Sequence, residues 1–225
     1  NKTNFKMIKY IIFYILIFAN YNFALGRNAG ETEITTEDGI EVFQEEKYYL
    51  LKKNVEILSD EFQLNGQIVK IFFEKDLYDV KELIATDDVK FISDNYNIKG
   101  NGDRLEFNIK KEKITVIGEN SELFLGTTNM FSDGIISVNN TDGSFLVNGP
   151  NSKLISENIF ITGSKINGTF EVIDGKRDIS NLEVEDELKL NIKTDDIEMF
   201  SKKAFYDKEK SIIELFEDVE INRGN

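Results

Sequence analysis

The sequence predicts an all-β, antiparallel fold built from repeated strand units. Three observations carry this. Apolar and polar residues alternate with period two over much of the chain after residue 36, the pattern of strands with one buried and one wet face. Asn-Gly and Asp-Gly dipeptides punctuate the chain at 65-66, 101-102, 133-134, 142-143, 148-149, 167-168 and 174-175. Such pairs supply the positive φ of tight turns and leave strands of roughly five to eight residues between them, too short for intervening helices. Finally, a phrase recurs: NVEILSDEFQLNG at Asn54–Gly66 returns as DVKFISDNYNIKG at Asp88–Gly100.

Taken in order, residues 1–25 hold Lys2, Lys6 and Lys9, then the apolar run Tyr10–Ala19, then a small-residue end at Ala24. That succession predicts a secretory signal peptide. The run is short for a membrane span, which needs about 20 apolar residues. An uncleaved anchor over residues 8–25 is the alternative. Residues 26–36 are polar and read as a flexible leader, and 37–225 as one domain. Ile40-x-Val42 and Tyr48–Leu51 suggest a first hairpin. In the repeat, Val55 matches Val89, Ile57 matches Phe91, Ser59-Asp60 matches Ser93-Asp94, Phe62 matches Tyr96, Leu64 matches Ile98, and Gly66 matches Gly100. Gly100-Asn101-Gly102 is expected to turn the chain into Leu105-x-Phe107-x-Ile109. A weaker copy is SKLISENIFITG at Ser152–Gly163, and DVEINRGN at Asp218–Asn225 begins another. Self-similarity of this kind marks stacked repeats. Two stretches compete as helices, Asp76–Ala85 and Asp195–Asp207. The repeat favours a bent strand pair for the first and strand-turn-strand for the second.

Composition narrows the chemistry. The chain lacks both cysteine and histidine. Disulfides, thiolate nucleophiles, Ser-His-Asp triads and His-ligated zinc are therefore excluded. A formal net charge of −14 argues against nucleic acid, which requires a basic footprint. A single proline, Pro150, suits continuous strands, where proline would delete a ladder donor. The acidic pairs Asp87-Asp88, Asp195-Asp196 and Glu217-Asp218 read as solvated turns; carboxylate catalysis or calcium binding is the remote reading. No catalytic residue, metal ligand or cofactor site is expected.

The alternation places one apolar stripe on a single side of the strands. It contains Val55, Ile57, Phe62, Leu64, Val69, Ile71, Val89, Phe91, Tyr96, Ile98, Leu105, Phe107, Ile114, Val116, Leu123, Leu125, Leu154 and Ile161. Phe73, Ile109 and Ile159 extend it. The stripe either fills the core of two packed sheets or lines an apolar groove between splayed ones. Periodicity is the same in both cases.

The unit Val-x-Phe/Ile…Ser-Asp…Gly…Asp-x-Leu-x-Phe, the signal-like start, and the opening ITTEDGIEVFQEEKYYLLKKNV at Ile34–Val55 together resemble the OstA-like family, over roughly residues 34–225. The segment Asn120–Ile136 matches the unit poorly. The resemblance implies a V-shaped β-jelly roll, open along one side. It implies a non-enzymatic, periplasmic bridge protein that carries lipopolysaccharide towards the outer membrane with the lipid A acyl chains in the groove. It further implies an LptC-like partner at the N-terminal edge, and an LptD-like partner or a second copy at the C-terminal edge. A membrane-anchored LptC-like component and a ligand-free structural β-solenoid are the competing readings.

Overall fold

The computed structural model describes residues 30–224 apart from 77, 78, 158 and 175. The expected signal peptide lies outside the described residues. The fold described is that of the compact unit Thr32–Asn225. Among the described residues there are eighteen strands and no helix. They are β1 (Glu33–Thr35), β2 (Ile40–Phe43), β3 (Tyr48–Leu58), β4 (Gln63–Phe73), β5 (Val80–Ser93), β6 (Ile98–Asn108), β7 (Lys113–Ile117), β8 (Ser121–Leu125), β9 (Thr128–Ser132), β10 (Ile135–Asn139), β11 (Ser144–Asn148), β12 (Lys153–Ser156), β13 (Ile159–Thr162), β14 (Lys165–Ile173), β15 (Lys176–Lys193), β16 (Ile197–Asp207), β17 (Ile212–Phe216) and β18 (Glu220–Arg223). All pair antiparallel, as expected.

The pairings fall into two rows. Wall A runs β2, the first half of β3, the second half of β4, the first half of β5, the second half of β6, β7, β10, β11, β14, the first half of β15, the second half of β16, and β17. Wall B runs β1, the remaining halves of β3, β4, β5 and β6, then β8, β9, β12, β13, the remaining halves of β15 and β16, and β18. The long strands therefore belong to both walls. They change wall where the register breaks, at Lys52/Val55, Asn65/Ile68, Thr86/Val89 and Glu185/Leu190.

These corners explain the repeat. Lys53-Asn54, Asp87-Asp88 and Glu217-Asp218 all have positive φ at both residues, and Asn120 and Asn151 do so singly. Successive left-handed residues swing the chain sharply, and Asn and Asp tolerate that region best among residues with a side chain. The first three copies of the repeat each start at or just after such a corner, run one strand along wall B and reverse. Asn54–Gly66 spans the β3–β4 turn, Asp88–Gly100 the β5–β6 turn, and Ser152–Gly163 the β12–β13 hairpin. The last copy supplies the Glu217-Asp218 corner and β18. The shared Ser-Asp step also has a physical role. Ser59 Oγ accepts from Phe62 N at 3.0 Å, and Ser93 Oγ donates to Glu61 O at 2.6 Å, tying adjacent turns together.

Several expectations are corrected. Asn65-Gly66, Asn101-Gly102 and Asn167-Gly168 lie inside β4, β6 and β14 rather than in hairpins. Gly100 and Gly102 are close-approach glycines: a Cβ on Gly102 would sit 2.6 Å from Val116 Cγ1, and one on Gly100 3.2 Å from Leu123 Cδ1. Both face inward, where β6 and its neighbours crowd the interior, so the absent side chain serves packing rather than turning. Asp142-Gly143 does join a hairpin, β10–β11. Asp133-Gly134 and Asn148-Gly149 are corners between walls. Tyr96 sits in the β5–β6 turn, not on a strand. Within Asp76–Ala85 strand begins at Val80, and β16 is one strand following the Asp195-Asp196 turn rather than strand-turn-strand. Glu33–Thr35, expected in a flexible leader, pairs with Glu56–Leu58 as β1.

Candidate functional site

The functional candidate is the space between the walls. Cross-strand register threads single apolar ladders through it. Along wall A the rungs are Ile40, Leu51, Val69, Ala85, Leu105, Val116, Ile136, Val147, Ile166, Val184, Ala204 and Leu215, each directly opposite the next. Along wall B they are Ile34, Ile57, Leu64, Phe91, Gly100, Leu123, Met130, Leu154, Ile161, Ile192, Met199 and Ile221. Directly opposed apolar side chains are the stabilising unit of a sheet, so each ladder holds its register collectively.

Of the expected stripe, fifteen residues are buried between the walls: Val55, Ile57, Leu64, Val69, Ile71, Val89, Phe91, Ile98, Leu105, Ile114, Val116, Leu123, Leu125, Leu154 and Ile161. Phe62 and Phe107 are partly buried and pack against them. Tyr96 alone stands outside, 37% exposed. The walls touch through Phe91 of wall B and Phe107 of wall A, whose rings lie 5.4 Å apart, and Phe62 stacks on Phe91 at 5.7 Å. The stripe is thus brought together as one interior, and over most of its length that interior is filled.

Exposure rises in two places. The first is the mouth, where the wall turns face one another and Phe62, Phe107, Ile109, Ile159 and Tyr206 are only partly buried. The second is the pair of free edges. At one end the apolar rows finish on exposed Ile34, Ile40 and Val42, and at the other on exposed Ile213 and Ile221 and on half-buried Leu215, with Ile212, Phe216 and Val219 exposed at the same edge. The terminal rungs Ile40 and Ile221 are 51% and 59% exposed, whereas Leu51 and Ile192 beside or near them are 0% and 2%. Edge strands carrying bare apolar side chains and unpaired backbone groups are templates for further strand pairing.

The electrostatics lie outside this space. Asp87-Asp88 and Glu217-Asp218 occupy corners, and Asp195-Asp196 a turn. Asp133 is the carboxylate with the most defined role. It accepts from Asn120 N at 2.8 Å and from Asn151 Nδ2 at 2.5 Å, joining two left-handed corners. Those hydrogen bonds hold its carboxyl below the usual aspartate range. Its partners are 13 and 18 residues away, so no local motif announces it.

No family model matches the chain. No curated protein matches it either. Among solved structures, it is similar to LptH, the LptA homologous periplasmic component of the lipopolysaccharide transport device of Pseudomonas aeruginosa. The superposition has a TM-score of 0.42 and 10% identity, and covers 49% of this chain and 76% of that one.

Beyond Leu154 and Ile161, sequence reading missed the second half of the interior. Met130, Ile136, Val138, Phe145, Val147, Ile166, Leu182, Val184, Leu190, Ile192, Met199 and Ala204 complete the ladders. Their alternation is as regular as that of the first half, but they lie in segments that depart from the repeated phrase.

Proposed function

We propose that the chain is a non-enzymatic, LptA-like periplasmic bridge module that conducts lipopolysaccharide, holding lipid A acyl chains along the apolar interior between its walls. The observation that carries this reading is the set of ladders running from one edge strand to the other, with exposed apolar rungs at Ile34, Ile40 and Ile221. An LptC-like protein would add its strands to β1 and β2, and an LptD-like protein or a second copy to β17 and β18. Strand addition at either edge would extend every ladder into the partner, and main-chain hydrogen bonds would supply the affinity. The passage would then be continuous across proteins.

Closure of the interior fits conduction by exchange. An acyl chain entering at the mouth replaces apolar wall-to-wall contacts with apolar wall-to-lipid contacts. Each CH₂ that leaves water contributes about 0.8 kcal/mol. The acidic surface contributes nothing to holding phosphates, so affinity rests on the chains. The test is site-specific photo-crosslinking in cells that make lipopolysaccharide. A crosslinker at Phe62 or Phe107, on the mouth side of the interior, is expected to capture it, while one at the outward-facing Glu106 is not. Equal capture at all three positions would sink the reading.

The filled interior also favours a second reading, a structural envelope β-solenoid with no ligand. Lipid extraction and mass spectrometry of the purified protein separate the two, since the structural reading expects no bound acyl chains.

A further inference from the structure

The β14–β15 hairpin outruns its sheet. β11 pairs with β14 only as far as Thr169, and β16 pairs with β15 only from Asn181 onward. Phe170–Ile173 and Lys176–Ile179 therefore have only each other as strand partners. The register shifts between Thr169 and Phe170, a bulge that bends the projecting ribbon. A two-stranded ribbon is marginal by itself, and here it is fastened on three sides. Phe170 stacks on Phe145 with ring centroids 4.4 Å apart, and its N–H donates to Gly143 O at 2.9 Å. Lys208 pairs with Glu171 and, at 2.8 Å, with Asp178. Arg177 reaches Asn140 Oδ1 at 2.9 Å on wall A and Tyr96 O at 3.4 Å on the turn of wall B. The last contact crosses the mouth.

Beneath the ribbon lies a cavity of about 470 Å³, facing the β12–β13 turn of wall B. Ile159, Ile179, Leu182 and Tyr206 give it an apolar floor, and Arg177 stands at its side. Of the acids around it, Asp178 is engaged by Lys208, while Glu157 and Asp174 are exposed at turns. Arg177 is partly buried, and its two acceptors, a carbonyl and an amide oxygen, are both neutral. Desolvation pulls its guanidinium below the ordinary arginine value. A planar fork of donors, held beside an apolar floor and without a carboxylate partner, matches a carboxylate or phosphate oxygen pair, and the exposed Lys176 is the second cation of the lining.

We propose that this hairpin straps the mouth, and that the cavity beneath it admits a single-chain anionic amphiphile with its head on Arg177 and its chain over Ile159, Ile179, Leu182 and Tyr206. The inference rests on the lipid-bridge reading and adds an entry point and a head-group preference to it. An anionic head competes with Tyr96 O for the guanidinium, so binding releases the strap from the opposite wall.

The test is calorimetric titration of the full chain with dodecyl phosphate, laurate and dodecyl maltoside, each below its micelle concentration. Wild type is expected to bind at least one anion about tenfold more tightly than the neutral maltoside, the scale of one charge-assisted hydrogen bond. Arg177→Gln should abolish that preference; Arg177→Lys should retain part of it. Thermal unfolding of each variant verifies the fold. A wild type without preference, a wild type that binds none of the probes, or an Arg177→Gln protein that keeps the preference overturns the inference. Lipopolysaccharide capture at Phe107, measured alongside, judges the bridge reading separately. Capture without anion preference overturns the strap alone, and preference without capture overturns the bridge while supporting the cavity.

Discussion

Replacing Phe91 with alanine is expected to cost about 3–5 kcal/mol of folding stability, the range for emptying a buried phenylalanine site. The upper part of that range applies here. Phe91 is 2% exposed and its ring is flanked by Phe62 and Phe107. Its rung neighbour on one side is Gly100, which has no side chain to move into the void. Each lost aromatic pair adds about 0.5–1.5 kcal/mol beyond area burial. For a unit of this size, 1 kcal/mol corresponds to roughly 2–4 °C, so the midpoint should fall by roughly 6–20 °C. Urea and thermal unfolding followed by circular dichroism measure this directly. Phe91→Leu serves as the control and should cost under about 1.5 kcal/mol if the neighbours repack. A double-mutant cycle with Phe107→Leu should return a coupling of about 1 kcal/mol across the walls. A loss below about 1 kcal/mol for Phe91→Ala, with no coupling to Phe107, would refute wall-to-wall packing at this point and restore a splayed, lipid-lined groove.

Other outcomes follow from the same geometry. Val42→Asp or Ile221→Asp, at opposite edges, should change folding stability by only about 0.5–1 kcal/mol, because both rungs are about half exposed. Sedimentation velocity should show weakened self-association or partner pairing, and unchanged sedimentation of both would argue against edge docking. Gly102→Ala places a Cβ 2.6 Å from Val116 Cγ1, and should destabilise by about 1–3 kcal/mol in urea titration, partly relieved by Val116→Ala. The depressed Asp133 carboxyl stabilises the fold above its unfolded value of 3.8, and that stabilisation is lost as pH falls through the lower folded value. Wild type and Asp133→Asn should therefore differ in unfolding midpoint at pH 6 and converge as pH falls below about 3.8, whereas a constant gap across that window would remove Asp133 as the corner clamp.

Strand content was legible in the chain because period-two alternation records which face of each strand is apolar. Val89, Phe91, Leu105 and Phe107 all point inward as their spacing predicts. The repeated phrase likewise located a real unit, since Asn54 and Asp88 both need a left-handed corner before a strand of wall B. The turn dipeptides misled where a glycine's second use prevailed. At Gly100 and Gly102 the residue is small because another side chain occupies the space, and that neighbour lies beyond any local window. Asp133 and Arg177 were invisible for a related reason, since their partners are brought to them by pairings that span many residues.

By itself, then, the sequence determined an antiparallel all-β chain with one apolar face, acidic outside, without thiol or imidazole chemistry. Only the tertiary structure decided what covers that face. Alternation is a property of single strands, whereas closure depends on the angle between two walls, on which strands cross from one to the other, and on aromatic contacts such as Phe91 to Phe107 that join residues of opposite walls. The same register that closes the middle leaves end rungs such as Ile40 and Ile221 exposed, because a ladder of strands has an interior only where another strand follows.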